Sequence, residues 1–176
     1  MVSSERVHAE VMTLPGILDV AAVALTGEIY HRCDQKPCYG VPVGSRILTM
    51  FELRVRTTRR TEARDITGEV MQTVKGRDGS LLHLFCTHTT CGLLINENAD
   101  PDVMKDLLEA FERLAPRNYG YAHGEGNSDA HIKSSLTGHS LTIPFHEGKP
   151  VLGTWQGIYL MEFDGPRERR IILTLV

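Results

Sequence analysis

CTHTTCGLLINENADPDV, from Cys86 to Val103, is the stretch on which the fold turns. The residues leading into it, LLHLFCTH from Leu81, form an apolar, partly β-branched strand, and GLLI (Gly92–Ile95) is a second short strand run. Asp100-Pro101 then starts a helix, with an acid at the N-cap and proline at the first helical position. Val103, Met104, Leu107, Leu108, Phe111 and Leu114 follow at helical spacing, and Pro116 closes the element. Between strand and helix stand His88, Asn96, Glu97, Asn98, Asp100 and Asp102, a density of ligand-capable side chains that is either a wet loop or a site.

Upstream, Phe51, Leu53 and Val55 alternate with Glu52, Arg54 and Arg56, as a half-buried strand requires. Asp65 is placed to cap a short helix that carries Ile66, Val70 and Val74 on one face and ends at Gly76. Downstream of the glycine-rich NYGYAHGEGNSDAH, the pattern predicts strands at IKSSL, SLTIPF, VLGTWQGIYLMEF and RRIILTLV, separated by turns at TGH, HEGKP and DGPRE. Val151–Phe163 is apolar on both faces and is therefore expected to be central. The sum is an α+β fold, a β-rich, sandwich-like antiparallel or mixed sheet with two main helices.

The chain has 176 residues, 41% hydrophobic and 23% charged, with a net charge of -3, which fits one globular domain. No basic excess points to nucleic acid, and LPGILDVAAVAL is too short to span a bilayer. Residues 1–49, with the turn-rich CDQKPCYGVPVG, read as an N-terminal extension, appended or translated from an upstream start; 50–176 form the regular domain. Cys33, Cys38, Cys86 and Cys91 form two C-x4-C pairs without a CxxC knuckle, so reduced thiols are expected rather than a zinc cluster. The start lacks the pattern of a secretory signal, and a cytoplasmic location is the expectation.

Two clusters can carry chemistry. His88, at a strand end, would share a rim with Asn96 and Glu97; His123, Glu125, Asn127, Asp129 and His131 stand in HGEGNSDAH, where Gly124 and Gly126 let groups converge. His88, His123 and His131 together would make an open three-imidazole site for a divalent metal ion, magnesium, zinc or another transition metal. Asp100 is fully explained as a helix cap, and Lys133 is either a solvated strand lysine or a contact for an anionic substrate. In GTWQGIYLMEFDG, Gly153 and Gly157 suggest close approach, and Trp155 is expected in the core with Gln156 beside it.

HTTCGLLINENADPDV, AHIKSSL, SLTIPF and LGTWQGIYLMEFDGPRERR, in this order from about Met50 to Val176, resemble the YjbQ family. The resemblance implies a compact β-rich homotrimer and a thiamine-phosphate-synthase activity, joining a pyrimidine diphosphate to a thiazole phosphate with release of pyrophosphate. It implies a polar pocket for a small phosphorylated substrate. There Glu97, Asp100 and Lys133 would be catalytic, Asn96, Asn127, Trp155 and Gln156 would bind substrate, and the three histidines would hold the metal. A metal-dependent hydrolase or phosphatase, and a non-catalytic trimer that binds metal or anion, are the rival readings. Neither a nucleic acid nor a membrane partner is expected.

Overall fold

The computed structural model describes residues 48–176, together with the strand backbones at Val11–Met12 and Ala22–Leu25. The Cys33/Cys38 pair and the turns around it lie outside the described residues. In chain order the elements are β1 (Val11–Met12), β2 (Ala22–Leu25), β3 (Leu48–Arg56), β4 (Glu62–Asp65), α1 (Thr67–Val74), β5 (Leu81–Cys86) and β6 (Cys91–Glu97). They continue as α2 (Pro101–Leu114), α3 (Ser128–Thr137), β7 (Ser140–His146), β8 (Lys149–Pro150), β9 (Gln156–Glu162) and β10 (Glu168–Leu175).

Two antiparallel sheets face each other, one in the order β1-β2-β3-β10-β5-β7-β8 and the other β4-β9-β6. This is the expected β-rich α+β sandwich. Strand alternation sends Phe51, Val55, Leu82, Leu84, Ile171 and Leu173 of the large sheet onto Leu93, Ile158 and Leu160 of the small one. Ile66, Val70 and Val74 of the α1 segment close the same core. The other face of the small sheet presents Tyr159 and Met161 to Met104 and Phe111 of α2. β9 is thus buried on both sides, at the middle of its sheet, as its two-faced apolar pattern requires. Its regular part starts only at Gln156, and Trp155 just before it is 63% exposed rather than in the core.

The helix starts follow their caps. Asp100 is extended and its Oδ1 accepts the Asp102 N–H at 2.9 Å, with Pro101 opening α2. Asp65 acts one residue ahead of the α1 N-cap, accepting the Thr67 N–H at 2.8 Å, and Gly76 follows the helix with φ +69°.

IKSSL is not a strand. It lies inside α3, whose buried face is Asp129, Ala130, Lys133 and Ser134. A helix that buries polar residues shows no hydrophobic period, which is why its pattern misleads. Its placement on β6 is tight. Ser134 Oγ donates to Cys91 O at 2.7 Å, and the Leu93 N–H donates to Gly138 O at 3.0 Å. Gly92 admits this approach, since a Cβ there would collide with Thr137 and stand 2.6 Å from Gly138 O. Among the described residues, no helix is long and apolar enough to cross a membrane.

Candidate functional site

Three connections meet at one end of the molecule. They are Thr87–Thr90 between β5 and β6, the loop that leads into α3, and Asp164–Arg167 between β9 and β10. Between them lies an open pocket of about 320 Å³. Thr87, His88 and Thr89 form one wall, Glu125, Asn127 and His131 another, and Asp164, Arg167 and Arg169 the third. His88, Asn127 and His131 are therefore brought together. His123 stands beside them, its ring 5.5 Å from that of His131 and edge-on to it, with Nε2 3.7 Å from Glu125. It faces an adjoining hollow of about 480 Å³ that His131 shares.

His88 is held by a hydrogen bond. Its Nε2 accepts the Arg170 backbone N–H at 2.8 Å. Burial, and then the nearby Arg169 and Arg170 charges, push its pKa below the ordinary histidine value. A neutral ring whose Nε2 accepts carries its proton on Nδ1, so in this arrangement His88 offers the surroundings a donor rather than a metal-binding lone pair. Among the described residues, no three His, Cys, Asp or Glu side chains are disposed to hold a metal ion.

The buried acids around the pocket are already engaged. Glu162 is buried and takes Arg169 at both oxygens. Arg169 is 3% exposed and also donates to Thr90 Oγ1 at 2.9 Å. Asp164 accepts from Arg60 at 2.9 Å, Arg167 at 2.7 Å and Asn127 at 3.0 Å. Burial works against its charge, but the Asn127 amide and the two arginines hold its carboxyl below the usual range. Arg60 continues to Asp129, and Asp129 to Lys133, whose Nζ lies 2.6 Å from Glu112. Lys133 is thus neither a solvated edge residue nor open to a substrate; it is a 1% exposed helical lysine committed to two carboxylates. The cation with a free face is Arg167, whose side chain is 55% exposed.

The other expected residues lie elsewhere. β6 is extended over seven residues, and Cys91 pairs with Glu162 while Glu97 pairs with Gln156. At about 3.3 Å per residue, Asn96 and Glu97 stand roughly 20 Å along the sheet from the His88 loop. A shared rim of His88, Asn96 and Glu97 within one chain is therefore excluded. At that far end Asn96 Oδ1 accepts the Glu97 N–H, Gln156 Oε1 accepts the Gly153 N–H at 2.8 Å, and Asp100 caps α2. Gln156 and Asn98 line a separate hollow of about 570 Å³ with Thr67, Met71 and Lys149. Gly157 does mark a close approach, because a Cβ there would sit 2.9 Å from the Asn98 side chain.

Asp164, Arg167 and Arg169 carry no site signal in the sequence because DGPRE passes as a turn and RRIILTLV as a strand. The available signal was the spacing of Arg167 and Arg169, two apart and hence on one side of an extended chain. Cys86 and Cys91 are free, buried thiols with sulfurs 3.0 Å apart, in line with the expected reduced state.

The sequence profile of the UPF0047 protein YjbQ-like family matches residues 51–176. A UPF0047 protein of Methanocaldococcus jannaschii is 46% identical over 133 residues, 74% of this chain and 96% of its own. UPF0047 protein YugU of Bacillus subtilis is 46% identical over 128 residues, 70% and 96% of the two chains. A YjbQ/UPF0047 protein of Clostridium acetobutylicum has a similar solved structure, with a TM-score of 0.68 at 46% identity, covering 71% of this chain and 98% of its own. A YbjQ-like protein of Sulfolobus solfataricus gives a TM-score of 0.69 at 32% identity, covering 73% and 96%. The names of these relatives state a family and no thiamine-phosphate-synthase activity. By profile, by sequence and by fold, the chain belongs to the UPF0047, YjbQ-like family.

Proposed function

We propose that the protein binds a small phosphorylated molecule in the pocket between the Thr87–Thr90 loop, the start of α3 and Arg167. One observation carries this reading. The pocket has a half-exposed guanidinium, Arg167, among threonine hydroxyls and imidazoles, while the acids Glu162 and Asp164 are already paired with arginines. An anion entering there meets donors and little unpaired negative charge, Glu125 being the exception at the outer wall.

The enzymatic form of this reading is a transferase of the thiamine-phosphate-synthase type, as the family resemblance implies. The thiazole nitrogen would form a bond to the pyrimidine methylene carbon as the carbon–oxygen bond to diphosphate breaks. Arg167 would then offset the charge gathering on departing pyrophosphate. A divalent cation would arrive with the phosphate rather than be held by the chain alone, since the described side chains form no metal cluster of their own. Assembly as a homotrimer and a cytoplasmic location complete the proposal; the free thiols Cys86 and Cys91 are compatible with the latter.

Calorimetric titration with inorganic pyrophosphate tests the binding claim. The wild type should bind, and Arg167→Met should bind at least about tenfold more weakly, because a charge-assisted contact is lost. Absence of binding to the wild type, with and without magnesium or zinc, contradicts the proposal. Incubation with the pyrimidine diphosphate and thiazole phosphate then tests the chemistry. Coupled product supports transfer, and release of phosphate without coupling replaces it with hydrolysis.

A further inference from the structure

Cys86 closes β5 in the large sheet and Cys91 opens β6 in the small one, so their side chains meet in the core between the sheets. The sulfurs stand 3.0 Å apart, in residues that are 1% and 0% exposed. Both backbones are pinned. The Cys86 N–H donates to His139 O at 2.7 Å, and Cys91 O accepts from Ser134 Oγ at 2.7 Å. A disulfide holds its sulfurs about 2.05 Å apart, so bonding asks for an approach of about 1 Å, within reach of small side-chain rotations.

The surroundings make the two thiols unequal. Cys86 is pushed down by its hydrogen bond with Cys91, against burial, and further by the His88 backbone N–H and the Arg169 guanidinium. Cys91 is pushed up by the same hydrogen bond and by burial. Cys86 is thus the sulfur that ionises and attacks, and Cys91 keeps its proton until it resolves. A metal does not explain the pair, since among the described residues no three His, Cys, Asp or Glu are disposed to hold one.

We infer that Cys86 and Cys91 are a dithiol–disulfide couple, a modification site at which oxidation ties the two sheets together and stiffens the Thr87–Thr90 wall of the pocket. The four residues between the cysteines are that wall, so the bridge closes a six-residue ring around it. The inference goes beyond the phosphate reading and does not depend on what the pocket binds.

The oxidant is a low-molecular-weight disulfide of the glutathione class. The Cys86 thiolate attacks one of its sulfurs, forming a mixed disulfide, and the first glutathione leaves as thiolate and takes a proton. Cys91 then loses its proton, its sulfur attacks the Cys86 sulfur, and the second glutathione leaves in the same way. Two thiols and one oxidised glutathione become one buried disulfide and two reduced glutathiones. Neither sulfur is open to a molecule of that size in the closed fold. Exchange therefore takes place while the loop is open or before the sheets close during folding.

Refolding tests this without relying on access to the folded core. The full chain carrying Cys33→Ala and Cys38→Ala keeps Cys86 and Cys91 as its only thiols. It is diluted from denaturant into glutathione buffers and then alkylated. Under excess oxidised glutathione the chain should become two hydrogens lighter and take no alkyl group. A second round of unfolding and refolding under excess dithiothreitol should return both thiols. The oxidised chain should melt about 5 °C higher, and amide exchange over Thr87–Thr90 should slow by about threefold or more. Glutathione adducts in place of the bridge, or two alkylated thiols, overturn the inference. A bridge that changes neither melting nor loop exchange also overturns it, since the pair would not act on the wall. Should the double variant fail to fold, the wild-type chain is refolded in the same buffers and digested with trypsin. The peptide from Asp78 to Lys105 should then be two hydrogens lighter. Its linkage to Cys33 or Cys38 instead overturns the inference.

Discussion

Arg169 and Glu162 meet as a two-point ion pair with both side chains buried, Nε 2.7 Å from Oε2 and Nη2 2.5 Å from Oε1. Glu162 also accepts the backbone N–H groups of Phe163 and Asp164 and the Thr57 hydroxyl. The pair ties the end of β9 to the start of β10 beneath the pocket. Removing one partner leaves an uncompensated buried charge, at a cost of about 3–5 kcal/mol. Glu162→Ala should lose about this much in chemical denaturation. Glu162→Ala with Arg169→Met should lose less than the two single losses added together. Strict additivity would mean that the pair is not coupled.

Gly92 sets how closely α3 approaches β6. Gly92→Ala places a methyl group against Thr137 and the Gly138 carbonyl, one of them backbone that cannot turn aside. Overpacking of this kind costs about 1–3 kcal/mol. Thermal unfolding should show the loss, and an unchanged melting temperature would refute the close packing of helix on strand.

His88 should make the fold sensitive to mild acid. Its folded pKa is lowered, chiefly by burial and then by Arg169 and Arg170, so the unfolded chain binds the proton more readily. Stability then rises with pH between the folded and unfolded values and falls as the pH drops below the unfolded value of about 6.5. His88→Gln retains an acceptor for the Arg170 N–H but removes the titration. Melting curves between pH 7.5 and pH 5, as about the accessible range for this group, should fall less steeply for the variant than for the wild type. Identical slopes would show that His88 does not carry the effect.

Buried Lys133 joins buried Asp129 to the half-exposed Glu112 in one network. Lys133→Met keeps most of the hydrocarbon volume but leaves Asp129 with Arg60 alone. A loss of about 2–4 kcal/mol is expected, below or near that of a fully broken buried pair. The hydrogen bond from Lys133 is also the main reason the Glu112 carboxyl is held below the usual range. NMR titration should show its pKa rising in the variant. A stability within about 0.5 kcal/mol of wild type, the range of ordinary surface substitutions, would contradict the network.

The apolar patterns were legible where burial is one-sided or complete. Ile158 and Leu160 enter one core and Tyr159 and Met161 the other, which is what the unbroken run in β9 requires. Asp100-Pro101 named the start of α2 from two residues. α3 was missed because Asp129, Lys133 and Ser134 fill its buried face, and polar burial leaves no hydrophobic period. Its ends were still marked, by Asn127 and by Gly138 at φ +82°. Of the three imidazoles expected together, His88 and His131 line one pocket with Asn127 while His123 faces the adjoining hollow, and Asn96, Glu97 and Gln156 stand at the other end of the sheet. Their separation depends on the β6–β9 register, which pairs Glu97 with Gln156 and fixes one end of the sheet for each group. Register comes from tertiary pairing and is invisible in a single run of residues.

NMR mapping of a pyrophosphate titration on labelled full-length protein tests the phosphate pocket most directly. The account predicts amide shifts concentrated at Thr87–Thr90, Asn127, His131 and Arg167, with Asn98, Gly153 and Gln156 at the opposite end unmoved. Shifts confined to that opposite end, or none at all, would contradict it.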